Sequence, residues 1–349
     1  MNKFLAALLA ISTIVPNVRA WNATGHMVVA QIAYNHLSEN VKAQCDALIA
    51  IPMTYSNSGT TNFVTAACWA DDFKSQLNTA NWHYLDIPFS LDGTSTNSFV
   101  PDTFDAVRAI RICEIALGNP ATLQSNKAVY LRYLLHFVGD IHQPLHASTA
   151  ISADQPGGDS GGNGFSLSSG NLHSLWDGGA GFVNTSVSRP LTSSGKTTLS
   201  NKVAKIEADY PYTPNPGVVD DPMKWAIEGW NLAQTVAYVG ISQGDAPSST
   251  YTNAAQATAE SRLGQAGHRL ADLLNTIFTL YPATLNFNPP ANPSVSFWWN
   301  AVPGRTYHIQ TKQNLSDAWV EVTTVQASTG IATYTDTAGS TSKFYQITE

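Results

Sequence analysis

The stretch His136-Phe137-Val138-Gly139-Asp140-Ile141-His142-Gln143-Pro144-Leu145-His146 decides how the chain is read. His136 and Asp140 stand four residues apart in an apolar run of helical period, so both side chains leave one face of a helix and can converge on a single ion. Pro144 closes that helix, because its ring cannot continue the hydrogen-bond ladder and the residue before it is pushed out of the α region. His146 therefore points elsewhere, and one segment can serve two neighbouring ions.

Working outward, the same spacing recurs at His173 and Asp177 inside Asn171-Leu172-His173-Ser174-Leu175-Trp176-Asp177. An imidazole nitrogen and a hard oxygen on one face form the mixed donor set that suits zinc. Upstream, Asp71 in Trp69-Ala70-Asp71-Asp72 and His83 in Trp82-His83-Tyr84-Leu85-Asp86 add two donors. Any one of these alone reads equally well as a solvated helix face or a structural ion pair. His142 is not assigned as a ligand: it reads as a hydrogen-bonding neighbour of the ligands or as a helix residue partly in water. His36, His268 and His308 have no partner at ligand spacing and read as structural, and Asp72 faces away from Asp71 around the helix.

The N-terminus adds a donor of a different kind. A basic Lys3, an apolar run from Phe4 to Val15 and the small-residue exit Val18-Arg19-Ala20 have the form of a secretory signal peptide, residues 1–20, with cleavage expected before Trp21. Cleavage frees the α-amine of Trp21, whose ordinary pKa near ~8 lets it deprotonate beside a dication and chelate together with its own carbonyl. His26 follows on the first helical turn. No other stretch approaches the roughly 18 unbroken apolar residues of a membrane span, so a soluble product, secreted or periplasmic, is expected.

Composition narrows the function classes. Charged residues make up 12% and the net charge is −7, which argues against a nonspecific basic binder of nucleic acid. An enzyme whose positive charge comes from bound metal is not excluded. Three cysteines, Cys45, Cys68 and Cys113, are too few for a disulfide scaffold; one bridge plus a free thiol is compatible with an oxidising compartment, with Cys45–Cys68 the preferred pair. N-x-[ST] sequons begin at Asn22, Asn184 and Asn314.

From Trp21 to about Pro282 the chain reads as helix joined to helix, with apolar positions at helical spacing in Met27–Leu37, Phe63–Leu77, Phe104–Leu117, Ala128–Ile141, Trp225–Val239 and Ala254–Leu280. Long polar loops separate them, notably the Gly-rich Gly157–Gly170 and the Pro-rich Tyr210–Pro222. Beyond Tyr281 a Pro-rich linker leads to short β-type runs, Val295–Trp299, Tyr307–Gln310, Trp319–Val322, Ala332–Tyr334 and Phe344–Ile347. The expected architecture is mainly α, a helical domain with long loops over residues 21–283, a linker over 284–293 and a small β-sandwich-like module over 294–349. That tail resembles the fibronectin-like modules of secreted bacterial enzymes and reads as a spacer or attachment module whose partner is unknown.

Taken together, the mature Trp21 with Gly25-His26, Trp69-Ala70-Asp71, His83-Tyr84-Leu85-Asp86, the HFVGDIHQPLH segment, Gly161-Gly162-Asn163 and NLHSLWD resemble the trinuclear zinc nucleases of fungi, plants and bacteria. The resemblance covers the helical part and leaves the β-like tail outside. It implies the helical fold shared with zinc-dependent phospholipase C, and cleavage of single-stranded DNA and RNA to 5′-phosphate products with removal of 3′-phosphate from nucleotides. It further implies three Zn²⁺: one on Asp71, His83, His136 and Asp140, a second on His146, His173 and Asp177, and a third on Trp21, His26 and a bridging Asp140. Asp71, Lys74 and Asp140 are the implied catalytic residues, with Lys74 read either as a stabiliser of transition-state charge or as an exposed helix lysine. Tyr84, Asp86 and Asn163 are the implied substrate-binding residues. Tyr84 offers a stacking face that suits an unpaired base, or else packs around His83; Asn163 donates to phosphate or base, or forms a turn.

Two other readings stand beside this one. A zinc phospholipase C shares the N-terminal Trp and three zincs, but typically ends the second ligand pair with Glu where this chain has Asp177. A non-catalytic, metal-stabilised binding module would close its ions with four protein ligands, whereas His146, His173 and Asp177 leave a position open. A monomer is expected.

Overall fold

The computed structural model describes residues 21–213, 221–280, 286–287, 294–300, 306–314, 316–328, 331–337 and 343–348. The expected signal peptide, much of the Pro-rich 210–222 loop and most of the linker lie outside the described residues.

Asn22 begins the first helix by turning its side-chain oxygen onto the amide of Gly25 (3.1 Å), which satisfies one of the free donors of a helix start. That helix, α1 (Ala23–His36), is followed by α2 (Glu39–Ile49), α3 (Phe63–Ala66), α4 (Trp69–Leu77), α5 (Ala106–Gly118), α6 (Gln124–Asp140), α7 (Leu172–Asp177), α8 (Ser193–Asp209), α9 (Pro222–Leu232) and α10 (Ser249–Leu280). The chain is mainly α, as its periodicity indicates. The expected helix over 63–77 is two helices separated at Ala67–Cys68, and the one over 225–239 ends in a widened π-type turn, Ala233–Ala237. Two helices were not anticipated: α2, which buries Val41, Cys45, Leu48 and Ile49, and α8, which buries Leu199, Val203 and Ile206.

The largest apolar cluster unites α1, α2, α5, α6 and α10 around Phe137, Trp69 and Trp225, all fully or almost fully buried. Truncating a core aromatic of this kind to Ala costs about 3–5 kcal/mol. A second cluster, with Phe89, Leu145, Phe165, Leu172, Trp176 and Tyr238, lies beneath a short parallel pair, β1 (Pro88–Ser90) with β2 (Thr149–Ile151). His136 and Asp140 are flanked by residues of the first cluster, His173 and Asp177 by residues of the second, and His146 stands between Leu145 of the second and Ala147 of the first. The donors thus sit where two packed bodies meet.

Downstream lie β3 (Asn286–Phe287), β4 (Ser294–Asn300), β5 (Thr306–Lys312), β6 (Val320–Gln326), β7 (Ile331–Thr337) and β8 (Phe344–Thr348). They form two three-stranded sheets, β3-β4-β7 and β6-β5-β8, whose facing Phe297, Trp299, Tyr307 and Ile309 share a third core, the arrangement of a small sandwich. Asn286–Phe287, expected in the linker, pair with Trp298 and Phe297 of β4.

The disulfide expectation is corrected: Cys45, Cys68 and Cys113 are all free and buried. Cys45 packs inside α2, while the Cys68 thiol is directed at the Ala23 carbonyl (3.5 Å) rather than at another sulfur.

Candidate metal centre

Three groups of His and Asp side chains bring their donor atoms within 4.8 Å of one another: His83 with His136 and Asp140, His26 with Asp71 and His136, and His146 with His173 and Asp177. The four-residue spacing on α6 turns His136 and Asp140 to one side, with His136 Nε2 3.4 Å from Asp140 Oδ2. His83, at the end of a short 3-10 turn (Ala80–His83), meets them from the neighbouring segment: its Nδ1 is 2.9 Å from Asp140 Oδ2 and 3.1 Å from His136 Nε2. On its other oxygen Asp140 faces His26 Nε2 at 3.3 Å, so this one carboxylate reaches into both neighbouring groups. The rings of His26 and His136 stack at 3.8 Å, and Asp71 Oδ1 lies 3.8 Å from both His83 and His136.

Hydrogen bonds behind the rings settle which nitrogens face inward. His146 Nδ1 donates to the His83 carbonyl (2.7 Å) and His173 Nδ1 to the Gly161 carbonyl (2.6 Å), leaving both Nε2 atoms as lone pairs that face each other at 3.1 Å. Two lone pairs at that distance repel unless a proton or a cation lies between them. Asp177 Oδ1 completes the triangle at 3.5 Å from His173 and 4.0 Å from His146. Donors bonded at ~2.0–2.1 Å to a tetrahedral ion stand roughly 3.3 Å apart, close to these separations. His136 Nδ1 is likewise engaged, with the Ala67 carbonyl at 2.6 Å. Backbone carbonyls in this role fix the tautomer and raise the basicity of a ligand imidazole.

The other groups carry a further sign of fit. Both nitrogens of His26, His83 Nε2 and both oxygens of Asp140 are buried without a hydrogen-bond partner. Each such atom costs about 1–3 kcal/mol unless something satisfies it, and a divalent ion does so for nitrogen and oxygen together. Burial, reinforced by neighbouring imidazoles, depresses the His26 and His83 pKa well below the usual imidazole range; burial and the Asp71 charge push the Asp140 carboxyl well above the usual carboxylate range. Burial alone would raise Asp71 too, but His136, Lys74 and His26 hold it below its ordinary value. Neutral imidazoles and carboxylates are the ligand forms that metal binding requires.

Trp21 is fully buried, and its indole N–H donates to the Gly139 carbonyl (3.0 Å), one residue before Asp140. Gly25 permits this seat, since a Cβ there would lie 2.6 Å from Trp21 Cβ. Next in the chain, the Asn22 backbone amide donates to the Asp177 carbonyl (3.0 Å), tying the residue after Trp21 to the His173–Asp177 donor pair.

Lys74 is 7% exposed and its ammonium contacts Asp71 Oδ1 at 3.1 Å, which removes the reading of an exposed helix lysine. The segment carrying Tyr84 and Asp86 runs beside the turn that holds His146: the Leu85 amide donates to the His146 carbonyl (2.8 Å). Tyr84 is half-buried and its hydroxyl donates to Asp102 Oδ2 (3.1 Å). Burial and the charges of Asp102 and Asp159 raise the Asp86 carboxyl from 3.8 to about 7. Asn163 uses its side-chain amide on the Ser160 carbonyl (2.8 Å), the turn-forming behaviour that its loop context allows.

His142 is fully buried and turned away from the clusters. Its Nδ1 donates to the Val138 carbonyl (2.7 Å) and its Nε2 accepts from Arg269 (2.9 Å), with Glu228 bridging Arg269 and Arg262. Asp72 forms a two-point pair with Arg189 (2.7 and 2.9 Å), and His36 and His308 pair with Glu207 and Glu321. Sequence reasoning missed Gln143, whose amide donates to Asp177 Oδ1 (2.9 Å), as well as Asp102 and Asp159. Gln143 carried a readable signal, a polar side chain immediately before a proline that opens a 3-10 turn; the aspartates did not.

A family model described as S1/P1 Nuclease matches residues 21–279, the span that contains every donor named above. The chain is 26% identical to Endonuclease 2 of Arabidopsis thaliana over 286 residues, 75% of this chain and 92% of the relative. It is 26% identical to Nuclease P1 of Penicillium citrinum over 280 residues, 74% of this chain and 97% of the relative. With Nuclease S1 of Aspergillus oryzae it shares 25% identity over 295 residues, 78% of this chain and 96% of the relative. With its His and Asp donors gathered in three groups inside a helical domain that the family model matches over residues 21–279, the chain belongs to the S1/P1 nuclease family.

Proposed function

We propose that the protein is an exported, monomeric zinc-dependent phosphoesterase that cleaves single-stranded DNA and RNA to 5′-phosphate products and removes 3′-phosphate from nucleotides. The catalytic unit is residues 21–283, and the strands from 294 onward form a separate module. The observation that carries the reading is the facing pair of His146 and His173 Nε2 atoms at 3.1 Å with both Nδ1 atoms committed to backbone carbonyls, inside the span matched by the family. Among the described residues no helix is long and apolar enough to cross a membrane.

Asp71, His83, His136 and Asp140 would hold one zinc, His146, His173 and Asp177 a second, and Trp21 through its freed amine, His26 and Asp140 a third. Bound zinc supplies Lewis acidity toward phosphoryl oxygens and lowers the pKa of water toward neutrality. Three carboxylates against three dications leave a net positive site in an acidic protein, so phosphate is attracted without a basic patch. Lys74, held beside Asp71, would offer its ammonium to the negative charge that a phosphoryl group gains. The Tyr84 ring offers a face to an unpaired base, and Asp86 meets the base edge as acceptor when ionised and as donor when protonated.

The test is metal analysis of protein beginning at Trp21, with parallel assays on single-stranded DNA, single-stranded RNA, duplex DNA, 3′-AMP and phosphatidylcholine. Three zincs with cleavage of the single strands and 3′-AMP is the expected result. One zinc or fewer in active protein overturns the trinuclear reading, and hydrolysis of phosphatidylcholine alone replaces the nuclease by a phospholipase.

A further inference from the structure

Asp159 and Tyr238 lie outside the three donor groups, yet one of those groups depends on the loop they hold. Asp159 is 2% exposed. Its Oδ1 accepts from the Ala150 amide (2.9 Å) and its Oδ2 from the Tyr238 hydroxyl (2.5 Å). The backbone of Asp159 is pinned as well: its amide donates to the Ala150 carbonyl (3.0 Å) and its carbonyl accepts from Gly164 (2.8 Å). So fixed, the loop puts Gly161 at φ +61 with its Cα against the Leu145 carbonyl, where a Cβ would approach to 2.2 Å. The Gly161 carbonyl is thereby aimed at His173 Nδ1 (2.6 Å), and that bond leaves His173 Nε2 facing His146.

Tyr238 is itself held for this task. Its ring stands edge-on against Phe89 and Phe165 (5.2 and 5.5 Å between centroids). It closes the widened turn Ala233–Ala237 through a bond from its amide to the Ala233 carbonyl (3.0 Å). Such turns are uncommon in helices and occur frequently at functional sites.

We infer that Asp159 and Tyr238 are a positioning pair for His173: the hydroxyl fixes the carboxylate, the carboxylate anchors Asp159 on Ala150 at the start of the loop that carries the Gly161–Gly162 turn, and the Gly161 carbonyl fixes the ring, so the pair sets how tightly His146, His173 and Asp177 hold a divalent cation. The inference rests on the proposed reading that zinc is bound at these donors. Neither residue touches the donor atoms, and their effect passes through the backbone of the glycine turn. Tyr238→Phe removes one of the carboxylate's partners while keeping the ring packed. Asp159→Asn keeps the size but sets an amide N–H against one of the donors that the carboxylate accepted.

The test uses the full zinc-loaded protein beginning at Trp21 and follows zinc release to a coloured chelator, together with the melting temperature of the metal-free protein. Tyr34→Phe, which removes a like hydroxyl–carboxylate bond to Asp46 (2.7 Å) away from the donors, is the control. In Tyr238→Phe and Asp159→Asn one of the three ions is expected to leave about 10- to 100-fold faster, the other two at the wild-type rate. The metal-free melting temperature of Tyr238→Phe should fall no further than that of Tyr34→Phe. Release at the wild-type rate from both variants, or equal acceleration of all three ions with a lowered metal-free melting point, overturns the pair. In the first case a wild type that cuts single strands leaves the proposed function standing. Selective release from a protein that does not cut them supports the pair and overturns the nuclease reading. A wild type that binds no zinc overturns both.

Discussion

Replacing Asp140 by Asn separates a carboxylate that bridges ions from one that merely pairs with histidines. Its Oδ2 lies 2.9 Å from His83 and 3.4 Å from His136, and its Oδ1 lies 3.3 Å from His26, so the substitution reaches two of the three proposed ions. In metal-free protein, burial and Asp71 hold the Asp140 carboxyl well above its ordinary value of 3.8. The unfolded chain then releases this proton at lower pH than the folded one. The stability Asp140 contributes is fully present below the unfolded value and is lost as pH rises through the folded one. Asn cannot ionise, so metal-free Asp140→Asn is expected to be at least as stable as wild type near neutral pH. Excess zinc reverses the order. Zinc at 100 times its Kd stabilises by about 2.7 kcal/mol per ion, so losing two ions costs about 5 kcal/mol. At about 2–4 °C per kcal/mol for a domain of this size, the melting temperature should drop by roughly 10–20 °C. Thermal unfolding with chelator and with excess zinc reads both arms. An equal drop in the two conditions refutes the bridging role.

Lys74→Ala is expected to retain its zinc and lower kcat by about 10²–10³, less than the loss in Asp140→Asn; comparable loss in both with zinc retained contradicts the assignment. Tyr84→Ala should raise KM on oligonucleotides by the equivalent of about 1–3 kcal/mol, and wild type should cut single strands much faster than duplex; equal cleavage of the two forms removes the stacking role. A cleavable tag before Trp21 turns the proposed amine ligand into a planar, weakly basic amide, so the tagged protein should be folded but nearly inactive with excess zinc until a protease exposes Trp21. Full activity in the tagged form would show that the amine is not needed. Asp86→Asn should stabilise metal-free protein above pH 7, because the carboxyl's contribution is present below 3.8 and lost through about 7; the gain has a ceiling of about 4 kcal/mol and vanishes at acid pH, which melting curves across pH would check.

Much of the candidate site was legible because helix geometry turns spacing into direction: His136 with Asp140 and His173 with Asp177 needed only the four-residue repeat, whereas α6 ends at Asp140, ahead of the expected stop, and Pro144 opens the following 3-10 turn. The strongly periodic helices and the short alternating runs of the tail were readable for the same reason. Helix α8 was not, since its three buried apolar side chains, Leu199, Val203 and Ile206, are scattered among Ser, Thr and Lys, and α2 has a similarly sparse apolar face. Strands of three residues, as in β1 and β2, leave too little alternation to read. Lys74 stayed ambiguous because an i,i+3 spacing from Asp71 says nothing of burial. Asp159 and Tyr238 meet across 79 residues of sequence, a contact that only tertiary packing creates.

The three separate thiols bear on how the protein reaches its working state. Burial holds Cys45, Cys68 and Cys113 as neutral thiols, Cys68 pushed up to about 12, so none offers a thiolate to an oxidant or to a passing metal ion. Cys68 stands only three residues before Asp71 yet presents its S–H to a backbone carbonyl, so as a neutral thiol it would not compete with the oxygen and nitrogen donors for the proposed zinc. The fold therefore owes nothing to the redox poise of its surroundings. On the proposed reading, protein made in a reducing cytoplasm and protein made in an oxidising compartment would differ, at this site, only in whether the peptide bond before Trp21 has been cut.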